Sequence, residues 1–194
     1  MRTSSFLPFI PVLVASQVVI PDDAVEGFAI HLSDDSGQKI YVPESEFDKY
    51  GISMAVNDTY ANGANGANGA NSTSLNTRGD QLFCDASNHF WIEDLHTNLI
   101  EFADYMSCGR EVSVNPSAPW KYEAASFYIG TTVIYICNYS RNTFLVGAYD
   151  LFANVYRVFN DCGQNNIAGW ILQGSTQLSI GYTNSNTGFC GPRN

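Results

Sequence analysis

Hydrophobic positions are densest in Ala125–Tyr139, a β-branched and aromatic run broken once by Gly130-Thr131-Thr132. Phe127, Tyr128 and Ile129 before the break, and Val133, Ile134, Tyr135 and Ile136 after it, suit a half-buried pleated surface. The pattern predicts two antiparallel strands, about 124–129 and 132–139, turned by Gly130. Strict alternation returns at Leu178, Ile180 and Tyr182, which with Ala168–Gln173 and a turn at Gly174 gives a second hairpin. Upstream, Gly27–Leu32 and Lys39–Val42 flank Asp34-Asp35-Ser36-Gly37, a third hairpin signal. A helical period takes over twice. Trp91, Leu95, Leu99, Phe102 and Met106 recur every three or four residues, which predicts a helix over about 89–107. Asp85 or Ser87 would cap it and Cys108-Gly109 would close it. Tyr149, Phe152, Val155, Tyr156 and Phe159 predict a second helix over about 147–160, closing at Cys162-Gly163.

Taken in order, residues 81–194 read helix, hairpin, helix, hairpin. The expected fold is α+β: a four-stranded antiparallel sheet with two helices packed on one face, a two-layer sandwich stapled by disulfides. An isolated hairpin is marginal in water, so residues 17–54 are expected to be either an acidic pro-region or an N-terminal hairpin segment that leans on a partner surface. Residues 55–80 contain the repeat Asn62-Gly-Ala-Asn-Gly-Ala-Asn-Gly-Ala. No side chain there builds a core, and the glycines make ordering costly, so this stretch reads as a flexible linker.

The first residues supply the compartment. Arg2, the apolar run Phe6–Ala15 and the small residues Ala15 and Ser16 have the layout of a cleaved signal peptide over 1–16. The run is too short to span a bilayer and no later stretch is long enough, so the expectation is secretion without a membrane span. The chain carries 19 acidic and 9 basic residues, net −10. Residues 17–80 have net −7 and residues 81–194 net −4. Such a surface repels phosphate backbones and anionic headgroups, and no Lys/Arg cluster offsets it, which argues against nucleic acid as a partner.

Five cysteines, Cys84, Cys108, Cys137, Cys162 and Cys190, are spaced by 24, 29, 25 and 28 residues, far from the close pairing of zinc motifs. Two disulfides and one odd thiol are expected, which leaves a disulfide-linked dimer open. Cys84 and Cys190, at the two ends of the folded region, would close the longest loop. Cys137, inside a central strand, would pair with one of the helix-end cysteines, Cys108 or Cys162. Sequons at Asn57, Asn71 and Asn138 are the candidate glycosylation sites, the first two on or beside the linker and the third beside a strand cysteine.

The segments Phe83-Cys84-Asp85, Tyr135-Ile-Cys-Asn-Tyr139, Asp161-Cys-Gly163, Ala168-Gly-Trp170, Ser179-Ile-Gly-Tyr182 and Phe189-Cys190 resemble those of small fungal secreted proteins. Among these the chain is similar to necrosis-inducing effectors and killer-toxin-like proteins over about residues 84–190. The resemblance implies a disulfide-stapled sandwich of helices on an antiparallel sheet and a non-enzymatic protein acting on other cells. It implies no catalytic residues. Those families usually carry an even cysteine set, so five cysteines leave the pairing open.

The residues add little direct chemistry. His89, Glu93, Asp94, His96 and Glu101 crowd the first predicted helix, where a polar face is needed in any case. Glu93, Glu101, Glu123 and Asp150 are carboxylates without a spacing that singles out a glycosidase pair. There is no Gly-x-Ser-x-Gly elbow and no phosphate-binding glycine loop. The reading is therefore non-enzymatic, with no cofactor and no metal. Its partner would be a host or competitor cell-surface molecule or glycan, with a cell-wall-binding module as the main rival reading and a small secreted hydrolase behind it. Trp91 and Trp170 read as core anchors, and Trp120, in the loop after Pro119, as the candidate glycan contact.

Overall fold

The computed structural model describes residues 17–56, 79–106, 110–114, 119, 121–139, 148–174 and 176–191. Asn57, Asn71, Cys108, Trp120, the signal segment and most of the linker lie outside the described residues.

The strands are β1 (Gly27–Ser33), β2 (Lys39–Pro43), β3 (Ile52–Val56), β4 (Gln81–His89), β5 (Arg110–Val114), β6 (Lys121–Ile129), β7 (Thr132–Asn138), β8 (Ile167–Gln173) and β9 (Leu178–Asn184). The helices are α1 (Phe47–Tyr50), α2 (Ile92–Met106) and α3 (Ala148–Cys162). Seven strands form one antiparallel sheet in the order β2-β1-β6-β7-β9-β8-β4, and β3 pairs β5 in a separate ribbon. The expected four-stranded sheet with two helices is thus corrected to a seven-stranded sheet with three helices. Two additions make the difference. The N-terminal hairpin joins the sheet because β1 pairs β6 from Gly27↔Tyr128 to Ser33↔Lys121, and β4 adds a strand at the opposite edge by pairing β8.

At the centre, β6 and β7 meet as predicted around a two-residue turn, with Ile129 opposite Thr132. Gly130 takes φ +59°, a conformation that is costly for other residues. The turn is clamped from α2: Asp94 Oδ2 accepts hydrogen bonds from the Thr131 backbone N–H at 2.8 Å and from its hydroxyl at 2.7 Å.

One face of the sheet carries the helices. Leu95, Leu99, Phe102 and Met106 of α2 and Leu151, Val155, Val158 and Cys162 of α3 are buried in one cluster with Ile30, Phe127, Ile134, Ile136, Ile171, Ile180 and Tyr182. Trp91, expected in this stripe, is 66% exposed because α2 begins one residue after it. The segment around Asp85 and Ser87, expected to cap that helix, is strand β4 instead.

Among the described residues the other face carries no helix. Its β1-to-β7 half is covered by the two ends of the described chain. Val18 and Phe189 exchange both backbone hydrogen bonds at 2.8 Å, and Val18, Ile20 and Phe189 are buried with Ala124, Val133, Tyr135 and Cys137. We call this pair of segments the strap.

The disulfides are Cys84–Cys162 and Cys137–Cys190, which corrects both expected pairings. Strand alternation explains the outcome. Ile134 and Ile136 point into the helical layer, so Cys137 between Ile136 and Asn138 points to the opposite face and meets the strap. Cys84 lies between two residues of the helix-free face, Phe83 and Asp85, and so turns toward the end of α3. Asn138 is 3% exposed, in a fully buried strand, which leaves its sequon little access for a glycan in the folded protein. Among the described residues no helix is long and apolar enough to cross a membrane.

Candidate functional site

The uncovered half of the helix-free face holds a cleft of about 630 Å³. Its floor follows from the register. Phe83 is opposite Trp170, Trp170 opposite Gly181, and Gly181 opposite Tyr135, so four side-chain positions from β4, β8, β9 and β7 line up in one row across the sheet. The Phe83 and Trp170 rings stack with centroids 5.3 Å apart and planes at 18°. Tyr135 stacks in the same manner on Phe189 of the strap, at 4.7 Å and 17°. Gly181 separates the two stacks. A Cβ there would stand 2.5 Å from Trp170 Cβ and would also collide with the Gly169 carbonyl oxygen, so only glycine lets the indole lie where it does.

The next row is Gln81, Leu172, Ser179 and Cys137. Gln81, Leu172 and Ser179 line the cleft, and Cys137 anchors its strap wall through Cys190. Gln17, Tyr139 and Gly188 complete that side. Trp170 is therefore a half-exposed cleft residue and not a core anchor, and Phe83 is 38% exposed.

Asp85 is the carboxylate of the cleft, and an irregularity in β4 sets its position. The ladder pairs Asp85 with Ala168, then resumes only at His89 with Ile167, leaving residues 86–88 looped out. The loop closes on the carboxylate. Oδ1 accepts from the Ser87 backbone N–H at 3.0 Å and from its hydroxyl at 2.5 Å, and Oδ2 accepts from the Asn88 side-chain amide. These hydrogen bonds, that from the Ser87 hydroxyl first, hold the Asp85 carboxyl below its ordinary pKa although burial pushes it the other way. Asn88 in turn accepts from the Thr187 hydroxyl at 2.7 Å, which ties the acid's loop to the strap. Tyr135, buried under Phe189, has its phenol pushed strongly up, chiefly by desolvation, with Tyr139 and Asp85 adding negative charge nearby.

Beneath the strap, His31 Nε2 lies 2.7 Å from Ser126 Oγ. The pair has the composition of a nucleophile and its base, but His31 is 2% exposed and Ser126 0%, so no substrate reaches them. His31 packs edge-on against Tyr41 and Phe189, and burial, helped by the Lys39 charge, lowers its pKa to about 3. It is a neutral imidazole locking the strap to the sheet.

The residues weighed from the sequence fall elsewhere. His89 ends β4 and does not share a helix with Glu93. His96 is exposed beside the Phe159 ring, Glu93 and Glu101 face solvent, and Asp94 is the turn clamp. Glu123 pairs with Lys39 at 3.0 Å and accepts from Ser33 at 2.5 Å, toward the β1–β2 edge of the sheet and away from the cleft strands β4, β8 and β9. Asp150 is exposed on α3. Among the described residues no three His, Cys, Asp or Glu side chains gather in a metal-holding group.

The signal that would have found the cleft was alternation. Gln81, Phe83 and Asp85 occupy every second position of one strand, and Trp170 and Leu172 do so in the next. Compared with known protein families, curated proteins and solved structures, the chain matches none.

Proposed function

We propose that the protein is a secreted, non-enzymatic glycan-recognition protein that engages other cells through the cleft on its helix-free face. The observation that carries this reading is the Phe83–Trp170 stack, held flat and accessible beside Asp85, Gln81 and Ser179. A pyranose offers one face of C–H groups and a rim of hydroxyls. The first packs on aromatic rings, and the second bonds to carboxylates, amides and hydroxyls. Apolar rings with a few convergent polar groups on rigid strands match that division.

Binding is favoured over hydrolysis because a glycosidase works with two carboxyl groups flanking the bond, and Asp85 is the one carboxylate among the described residues lining the cleft. No histidine or described nucleophile–base pair opens into it. Export accords with the two disulfides, which persist in oxidising compartments.

The test is retention on a panel of insoluble cell-wall polysaccharides, followed by calorimetry with oligomers of any that bind. Trp170→Ala is expected to weaken binding at least tenfold, about 1.4 kcal/mol, with an unchanged far-UV spectrum. Failure of the wild-type protein to bind any polysaccharide, or undiminished binding by the variant, would contradict the proposal.

A further inference from the structure

We infer that the sugar recognised in this cleft carries a free ammonium group, as the units of a de-N-acetylated amino-sugar polymer do. The inference rests on the glycan reading above and names the ligand class of the same cleft. Three observations converge on it.

The first is the sign of the lining. Asp85 faces the cleft, and no Lys, Arg or His stands among the described residues lining it. The carboxylate is already oriented by Ser87 and Asn88, so no side-chain ordering has to be supplied when a cation arrives. A carboxylate has about four acceptor sites, and the three hydrogen bonds from its own loop leave one for a donor from the ligand.

The second is the arrangement of aromatic faces. Phe83 and Trp170 present their rings to the cleft from one side and Tyr139 stands on the other, backed by the Tyr135–Phe189 stack. Ring faces attract a cation through their quadrupole, Trp most strongly. A neutral sugar would use these rings for C–H packing alone, whereas an ammonium sugar uses them twice.

The third is the long-range field. The chain has net charge −10, which raises the local concentration of a polycation and speeds its encounter. An anionic polysaccharide would meet repulsion from the whole surface and from Asp85.

The experiment is calorimetry at physiological ionic strength, at a pH where the sugar amine is protonated. It compares a glucosamine oligomer, the N-acetylglucosamine oligomer of equal length and a neutral glucose oligomer. The glucosamine oligomer is expected to bind about tenfold or more tightly than its N-acetylated counterpart. Asp85→Asn should erase that preference, bringing the glucosamine oligomer to within about twofold of its N-acetylated counterpart. Asn keeps the size of Asp and the oxygen that accepts from the Ser87 N–H and hydroxyl, and gives up the acceptor that meets the Asn88 amide, so an unchanged far-UV spectrum and melting temperature are required of the variant.

Glu46→Gln removes one charge from an exposed acid outside the cleft and should change nothing. Equal binding of the amine and N-acetyl forms would overturn the inference and leave the glycan reading standing. An equal loss in Glu46→Gln and Asp85→Asn would also overturn it, because the attraction would then be diffuse. No binding of any oligomer would bring down both.

Discussion

Removing the Cys137–Cys190 bridge tests how the cleft's strap wall is held. Replacing both cysteines with alanine frees the C-terminal segment from the sheet without leaving an unpaired thiol at either position. The bridge links residues 53 apart. In the chain-entropy account a loop of that length stabilises by about 4 kcal/mol, through the unfolded-state freedom it removes. At 2–4 °C per kcal/mol for a chain of this size, the melting temperature should fall by roughly 8–16 °C.

The loss should also have a place. Val18 and Phe189 hold each other by two backbone hydrogen bonds, and Phe189 covers Tyr135 and His31. Hydrogen exchange of the Val18 and Phe189 amides should therefore quicken far more than that of Ile134 or Ile180 in the buried strands. Breaking Cys84–Cys162 instead should leave those two amides protected, since that bridge ties β4 to α3 on the opposite face. A double variant within about 1 kcal/mol of wild type, with Val18 and Phe189 still protected, would refute the strap's dependence on this bridge.

Two further outcomes follow from buried groups near the cleft. His31 has its folded-state pKa lowered from 6.5 to about 3, so it favours folding fully above pH 6.5 and loses that contribution as pH falls from 6.5 toward 3, because the unfolded chain takes up the proton first. Between pH 7 and pH 5 this amounts to about 2 kcal/mol. His31→Phe should flatten that part of the stability–pH curve in urea titrations; an unchanged slope would count against a buried neutral imidazole. Gly181→Ala should cost about 1–3 kcal/mol through overpacking and should shift Trp170 fluorescence, because the new methyl group takes the space of the indole's base; a variant with wild-type stability and emission would show that the row has slack.

How far the fold could be read from the sequence depended on how local the determining contacts were. The β6–β7 hairpin was legible because its alternation and its glycine turn lie within a few residues of each other. The stripe of α2 was legible from Leu95 to Met106 and failed only at Trp91, where the period ran one residue past the helix start. In α3 the expected Val155 is buried and Phe152 and Phe159 pack against the core, but the fully buried line runs through Leu151, Val155, Val158 and Cys162, and Tyr156, expected in the stripe, is 49% exposed.

Asp85 and Ser87 have the chemistry of helix caps, and they use it to close the looped-out turn of β4. The pairing of β1 with β6 joins segments about ninety residues apart, and nothing in either strand names its partner. The cysteine pairing was within reach of the strand parity that places Cys137 opposite Ile136, whereas loop length alone pointed to Cys84 with Cys190. Trp170 was misjudged because an aromatic residue in an alternating strand belongs to whichever face it is on, and the described helices cover only one.

The most direct test of the cleft is to titrate the isotopically labelled protein with the oligosaccharide it binds best and map the backbone amide shifts. The account predicts that the changes concentrate at Phe83, Asp85, Tyr135, Trp170 and Ser179, on the helix-free face. Shifts centred instead on Trp91, Ile100 and Tyr156, the exposed apolar residues of the helical side, would contradict it.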